Sequence, residues 1–134
     1  MTKIIMGLKG MGKTKTLISL VNEAVAKNQG NVVCIEKDSA LRYDISINAR
    51  LINATEYGIN SFDKFYGFIC GLVSGNYDIT DIYVDSVLKY CGDDMDKFAE
   101  CVAAIDKVAP TVNVVMTASY DAEKAPEAIK PYLM

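Results

Sequence analysis

The glycine-rich stretch over residues 7–14 reads Gly7-Leu8-Lys9-Gly10-Met11-Gly12-Lys13-Thr14. It fits the pattern G-x-x-x-x-G-K-[ST] without a mismatch. A short β-type run, residues 3–6, precedes it. Residues 13–28 follow with apolar side chains at steps of three and four, which is typical of an amphipathic helix. The stretch therefore predicts a glycine-rich turn between a strand and a helix, with Gly30 as the C-terminal cap of that helix.

The chemistry of such a turn favours phosphate binding. Its backbone N–H groups converge into a nest for anionic oxygens, and the positive end of the following helix lies at the same place. Lys13 can reach the β- and γ-phosphates of a nucleotide, and the Thr14 hydroxyl suits magnesium. The backbone N–H of Lys15 would lie near the α-phosphate. The predicted phosphate-binding residues are Gly7, Leu8, Lys9, Gly10, Met11, Gly12, Lys13, Thr14 and Lys15.

The nucleotide base is left open by the sequence. A guanine-reading Asn-Lys-x-Asp segment does not occur, so ATP is preferred by default and GTP is not excluded. The expected cofactors are ATP and Mg2+.

Length and composition predict one folded domain over residues 1–134. Apolar residues make up 51% of the chain and charged residues 23%, which argues against disorder. The net charge of −3 comes without a basic block, so nucleic-acid binding is not indicated.

Targeting signals are not recognised in the sequence. The first residues lack the apolar run of a signal peptide, and the longest uncharged stretch, residues 65–77, is too short to span a bilayer. We therefore expect a cytoplasmic protein with no membrane span.

The four cysteines are expected to be reduced thiols. They are widely spaced and the chain has no histidine, so a zinc site is disfavoured. Cys34, Cys70 and Cys101 lie in apolar stretches and are predicted to be core residues.

The rest of the chain alternates between strand and helix patterns, which predicts a three-layer α/β/α fold with a mostly parallel central sheet. Strands are predicted at residues 3–6, 31–36, 79–85 and 112–117. Further helices are predicted at residues 62–74 after an N-cap at Ser61, at 94–109 before Pro110, and at 125–132. Residues 37–60 give no decision, because residues 44–47 or 49–52 fit either an edge strand or a helical turn.

A carboxylate at the end of a second strand commonly completes a magnesium–nucleotide site. Asp85 closes the apolar run 82–84 and should emerge at the carboxyl edge of the sheet, beside the phosphate loop. Asp81 precedes that run and should face the opposite edge. The predicted metal ligands are therefore Thr14 and Asp85, although aspartate also commonly caps a turn.

Two further segments resemble the RecA-type P-loop ATPases. Residues 81–87, Asp-Ile-Tyr-Val-Asp-Ser-Val, are similar to that family's Walker B strand, in which the aspartate is also followed by Ser-Val. Residues 34–41, Cys-Ile-Glu-Lys-Asp-Ser-Ala-Leu, are similar to the end of its second strand. Glu36 lies 23 residues after Lys13, about where the family places its catalytic glutamate. The resemblance implies a P-loop NTPase fold in which Glu36 polarises the attacking water and Lys13 binds the phosphates. The alternative for Glu36 is a solvated carboxylate paired with Lys37 or another lysine.

The sequence also differs from the RecA type in ways that limit which functions the resemblance implies. RecA-type cores are longer and carry DNA-binding loops between the Walker B strand and later strands, whereas little more than one helix joins Asp85 to the next predicted strand. The polar residue that senses the γ-phosphate is usually glutamine in RecA, and Thr117 or Ser119 occupies that region here. The ParA and MinD group has a lysine at the position of Leu8, and Lys9 falls one residue later. The resemblance therefore supports an ATPase core only.

Three functions compete on this basis. The first is a small ATPase that acts in a homo-oligomer or with a protein partner. A self-supplied arginine finger must then be Arg42 or Arg50, the only arginines in the sequence, or a lysine must substitute for it; the alternative for both arginines is an ordinary surface charge. The second is a small-molecule or nucleotide kinase, which the lack of arginines after Arg50 disfavours. The third is a nucleotide-dependent binding module with little hydrolysis, in which residues 37–60 rearrange on γ-phosphate contact.

Overall fold

The computed structural model describes residues 1–27, 29–38 and 40–134 of the chain. Its strands are β1 Thr2–Gly7, β2 Asn31–Glu36, β3 Arg50–Asn53, β4 Ile79–Val84 and β5 Asn113–Ser119. Its helices are α1 Lys13–Lys27, α2 Phe62–Gly75, α3 Leu88–Cys91 and α4 Met95–Val108, and two short 3-10 turns follow at Ala122–Lys124 and Lys130–Tyr132. Among the described residues, no helix is both long and apolar enough to cross a membrane.

All five strands join in one sheet with the order β1-β5-β4-β2-β3, and every neighbouring pair is parallel. Because the strands are parallel, their carboxyl ends share one edge of the sheet. Strand β5 lies between β1 and β4. The glycine-rich loop after β1 and the aspartate after β4 are thus at the same edge, one strand apart.

Helical layers cover both faces of the sheet, as the alternating pattern predicted. Leu17 and Val21 of α1 pack into a cluster with β2 on one face, and α2 and α4 pack on the other. The rings of Phe62 and Phe98 join α2 to α4 with centroids 5.5 Å apart. Burial on both faces explains why β2 is a nearly continuous apolar run.

The crossover from β2 to β3 settles the region that the sequence left undecided. Arg50–Asn53 is an edge strand paired with β2, and residues 44–47 form turns. In the described part of residues 37–49, turns take the place of a helix and pack beside α1 through Leu41 and Ile45. The Asn22 side chain holds them, since its Nδ2 donates to the Asp44 carbonyl at 2.9 Å and its Oδ1 accepts from the Ser46 N–H at 2.8 Å.

The predicted strands and long helices are confirmed within a few residues at each end. Ser61 caps α2 by accepting from the N–H of Lys64 at 3.2 Å, as predicted. The predicted end of α1 at residue 28 lies outside the described residues. Val108, the last residue of α4, is 38% exposed, whereas Ala109 and Val112 beyond the helix are buried in the core.

Two predictions near the chain's turns are wrong. The last helix, residues 125–132, is replaced by a turn at residues 127–129 and the 3-10 turn Lys130–Tyr132, because Pro126 and Pro131 lack the N–H that a helix needs. Gly30 is not a cap with positive φ. A Cβ there would lie 2.6 Å from the Asp78 carbonyl oxygen and would collide with the Thr80 side chain, so glycine permits a close approach of two segments.

Candidate functional site

The glycine-rich loop connects the end of β1 to the first residue of α1. Gly10 and Gly12 have φ values of +89° and +81°, a region that residues with a Cβ rarely adopt. Leu8 and Met11 are exposed at the tip of the loop. The backbone path thus requires glycine at positions 10 and 12, and the space around both is open.

Lys13 lies at the first turn of α1 with its ammonium group folded over the loop. The Nζ atom donates to the carbonyl oxygen of Leu8 at 2.9 Å. An ammonium group has three donors, so this bond leaves capacity for phosphate oxygens at the same position. Lys15 follows on the exposed side of the helix.

Thr14 and Asp85, the two predicted metal ligands, are in direct contact. The Thr14 hydroxyl lies 3.0 Å from Oδ1 and 3.3 Å from Oδ2 of Asp85, and it donates to this carboxylate. The Asp85 side chain is 8% exposed, and its N–H donates to the Ile35 carbonyl at 2.8 Å. Asp81 lies at the other edge, where its carboxylate accepts from the Tyr83 hydroxyl and the Asn113 amide at 3.0 Å each. The direction of β4 therefore separates the two aspartates as predicted.

These two side chains fit magnesium by donor type and by spacing. A hydroxyl and a carboxylate are both hard oxygen donors. Adjacent ligands of an octahedral magnesium ion lie about 2.9 Å apart, given Mg–O distances of about 2.0–2.1 Å. The observed 3.0 Å between the Thr14 and Asp85 oxygens matches that spacing.

Two more hydroxyls reach Asp85 and complete what we call the Asp85 cluster: Thr14, Asp85, Ser86 and Thr117. Thr117 Oγ1 donates to Asp85 Oδ1 at 2.8 Å, and Ser86 Oγ donates to Oδ2 at 3.3 Å. Ser86 has a φ of +53°, unusual for a residue with a side chain. The sequence flagged Thr117 as the polar residue on this strand, but its contact with Asp85 and the bend at Ser86 were not predicted.

Glu36 ends β2 and is held by its own loop. Its side chain is 3% exposed, and both oxygens lie 3.2 Å from the N–H of Leu41, which donates to them. Burial raises its pKa and the charges of Asp85 and Asp38 add to the rise, whereas backbone N–H groups of residues 40 and 41 oppose it. Within the described part of the chain no lysine pairs with Glu36, so the alternative of a solvated, lysine-paired carboxylate is wrong.

A cavity of about 300 Å³ lies at the carboxyl ends of β2 and β4. Glu36 and Asp85 line it together with Lys37 and Lys89. Since a water molecule takes about 30 Å³ of liquid volume, the cavity has room for several waters or for a phosphate group.

Neither arginine lines this cavity. Arg50 begins β3 and lines a cavity of about 600 Å³ with Asn31 and Asn76, near the amino ends of the strands. Arg42 lies on the surface with its guanidinium 4.8 Å from the centre of the Tyr43 ring. Arg50 therefore faces the wrong edge to reach the phosphate loop of its own chain.

Comparison with known proteins adds no assignment. No protein-family model matches the chain, and no curated protein is recognisably related to it.

Proposed function

We propose that this chain is a P-loop NTPase of the RecA type that binds ATP with magnesium and hydrolyses it, acting in an oligomer or with a protein partner. The observation that carries the proposal is the 3.0 Å contact between Thr14 and Asp85. These residues are 71 positions apart in the chain and belong to two independently recognised motifs. Their meeting at the carboxyl edge of a parallel sheet is the arrangement that a magnesium–nucleotide site requires.

Phosphate binding is the work of the loop and Lys13. The open loop presents backbone N–H groups at the N-terminus of α1, which attracts anions. On binding, the Lys13 ammonium would exchange the Leu8 carbonyl for phosphate oxygens. Thr14 and Asp85 would hold magnesium, which neutralises charge on the phosphates.

Glu36 is the proposed residue for orienting the attacking water. It lines the same cavity as Asp85, and burial raises its pKa towards the range in which a carboxylate is an effective general base. Its oxygens accept from Leu41, so water would have to share this carboxylate with the loop.

A second candidate function follows from the hydrogen bond that the Leu41 N–H donates to the Glu36 carboxylate. If Glu36 serves mainly to hold residues 40–49, the chain is a nucleotide-dependent binding module, and the loop reports on the occupied site. The Asn22 side chain and Leu41 favour this reading, because they couple the loop to α1 and so to the phosphate loop.

Binding and hydrolysis can be tested separately. We would titrate ATP and GTP with magnesium into wild type, Lys13→Ala and the matched control Lys27→Ala, which removes an exposed lysine at the far end of the same helix. Loss of a charge-assisted bond to phosphate should weaken binding at least about tenfold in Lys13→Ala alone. Equal triphosphate binding by Lys13→Ala and wild type would remove the basis of the proposal.

Phosphate release then separates the two candidates. Glu36→Gln should retain ATP binding and lose at least about tenfold in turnover if Glu36 acts on water. Tight binding by the wild type with no release over hours would instead select the binding module.

A further inference from the structure

We infer that Thr117 is a positioning residue for the Asp85 carboxylate, and that it does not contact the γ-phosphate of a bound nucleotide. The inference rests on the proposed function, because it assigns a task within the magnesium half of that site. It differs from the role that the RecA resemblance implies for this strand, where a polar residue senses the γ-phosphate.

The Thr117 hydroxyl group is already engaged in two hydrogen bonds, one as donor and one as acceptor. Its side chain is 1% exposed, and Oγ1 donates to Asp85 Oδ1 at 2.8 Å. The same oxygen accepts from the N–H of Ser86 at 2.7 Å. A hydroxyl has one proton, and here it is used by Asp85, so none remains to donate to a phosphate oxygen.

The consequence for Asp85 is a fixed orientation. A carboxylate oxygen has two lone pairs, and Thr117 occupies one of those on Oδ1. Thr14 approaches the same atom at 3.0 Å. Thr117 belongs to β5, the strand between the phosphate-loop strand and β4, so a rigid element sets the direction in which Oδ1 faces Thr14.

Thr117 also holds the bend that follows Asp85. Ser86 adopts a φ of +53°, and its N–H bonds to Thr117 Oγ1. The next N–H, that of Val87, donates to the Thr117 carbonyl at 3.1 Å. The unusual backbone at Ser86 is thus stabilised by the residue that orients Asp85, which ties the bend to the carboxylate.

Ser119 provides the matched control on the same strand. It is exposed, and it pairs in register with Gly7 at the start of the phosphate loop. Ser119 therefore lies beside the start of the loop, two residues beyond Thr117, with its hydroxyl outside the Asp85 cluster. Removing it tests what a β5 hydroxyl contributes without touching Asp85.

The test measures affinity for ATP and for ADP, each with magnesium chloride and with EDTA, in wild type, Thr117→Val, Thr117→Ser and Ser119→Ala. Valine keeps the shape of threonine and removes the hydroxyl. We expect Thr117→Val to lose the magnesium-dependent part of the affinity by about tenfold or more for both nucleotides, as outer partners of metal ligands do. Affinity in EDTA should stay at the wild-type value, Thr117→Ser should restore magnesium dependence, and Ser119→Ala should keep it.

Three results would overturn the inference while leaving the proposed function intact. They are wild-type magnesium dependence in folded Thr117→Val, a loss confined to ATP, and an equal loss with and without magnesium. Wild-type protein that binds neither nucleotide would contradict the proposed function itself, and the inference with it.

A double-mutant cycle guards against a purely structural effect. In an Asp85→Asn background, Thr117→Val should have no further effect on magnesium dependence, because the carboxylate that it orients is gone. If Thr117→Val does not fold in a thermal unfolding scan, Thr117→Ala carries the same expectations. Additive effects of the two substitutions on magnesium dependence would contradict the positioning role.

Discussion

Asp85 and Glu36 are carboxylates at the same edge of the sheet, one after β4 and one at the end of β2, yet their surroundings differ. Asp85 accepts hydrogen bonds from three hydroxyls, Thr14, Ser86 and Thr117, which belong to three different segments. Glu36 accepts from the backbone of its own following loop. The comparison indicates that Asp85, the proposed metal ligand, is oriented by several segments of the fold, whereas Glu36, proposed to activate water, is held by a single loop.

The largest expected effect is at Asp85. Asp85→Asn keeps the shape of the side chain and removes its charge, so magnesium-dependent ATP affinity should fall on the order of 100-fold. Titration of ATP at several magnesium concentrations measures this directly. Asp81→Asn, at the other end of the same strand, is the control and should behave as wild type. Equal losses in the two variants would show that position on β4 is irrelevant.

The hold on the Glu36 loop is expected to matter less for binding and more for stability. Asn22→Ala removes two hydrogen bonds to residues 44 and 46, which should lower the free energy of unfolding by about 1–2 kcal/mol. Chemical denaturation measures that loss, with Lys27→Ala on the same helix as the control. If the loop governs hydrolysis, turnover should change while ATP affinity stays near the wild-type value. A variant with unchanged stability and unchanged turnover would break the proposed coupling.

The buried carboxyl group of Glu36 should make the stability of the fold depend on pH. Burial raises its pKa above the ordinary 4.5, so the folded state holds this proton more tightly than the unfolded state does. Glu36 therefore contributes most to stability at a pH below its ordinary pKa of 4.5, and this contribution is lost as the pH rises through the folded-state pKa. Compared with wild type, Glu36→Gln should become relatively more stable as pH increases over this window. Denaturation curves at acidic and neutral pH measure the trend, and a difference between the two proteins that does not vary with pH would contradict it.

The smallest expected effect is on the rate of chemical modification of Cys34, a buried thiol on β2 that is close to the carboxylates of Glu36 and Asp85. Burial, followed by the charges of Glu36 and Asp85, raises its pKa to about 12. A thiol-reactive reagent at mildly alkaline pH should therefore modify Cys34 slowly, through opening of the structure, and the half-buried Cys70 should react first. Asn22→Ala should speed the modification of Cys34 and leave the rate at Cys70 unchanged. Equal acceleration at both thiols would point to general loosening and not to the loop.

Much of the phosphate-loop half could be predicted from local signals. The glycines, Lys13 and Thr14 are contiguous, and the position of Asp85 after an apolar run is enough to assign it to the carboxyl edge. The Ser61 cap is equally local. Each of these features depends on a few neighbouring residues whose backbone preferences agree with the fold.

The features that could not be predicted depend on long-range pairing. The partner of Thr117 is decided by the place of β5 between β1 and β4, which the order of segments in the sequence does not reveal. The burial of Glu36 depends on how Leu41 folds back, in a crossover without helical periodicity. The short helix α3 follows from the bend at Ser86, whose φ the sequence does not indicate.

Calorimetric titration of the wild-type chain with ATP, with and without magnesium, is the direct test of the proposed nucleotide binding. We expect saturable binding of one nucleotide per chain, which tightens with magnesium and weakens at least about tenfold in Lys13→Ala. The account is contradicted if millimolar ATP gives no binding in the presence of magnesium, or if Lys13→Ala binds with wild-type affinity.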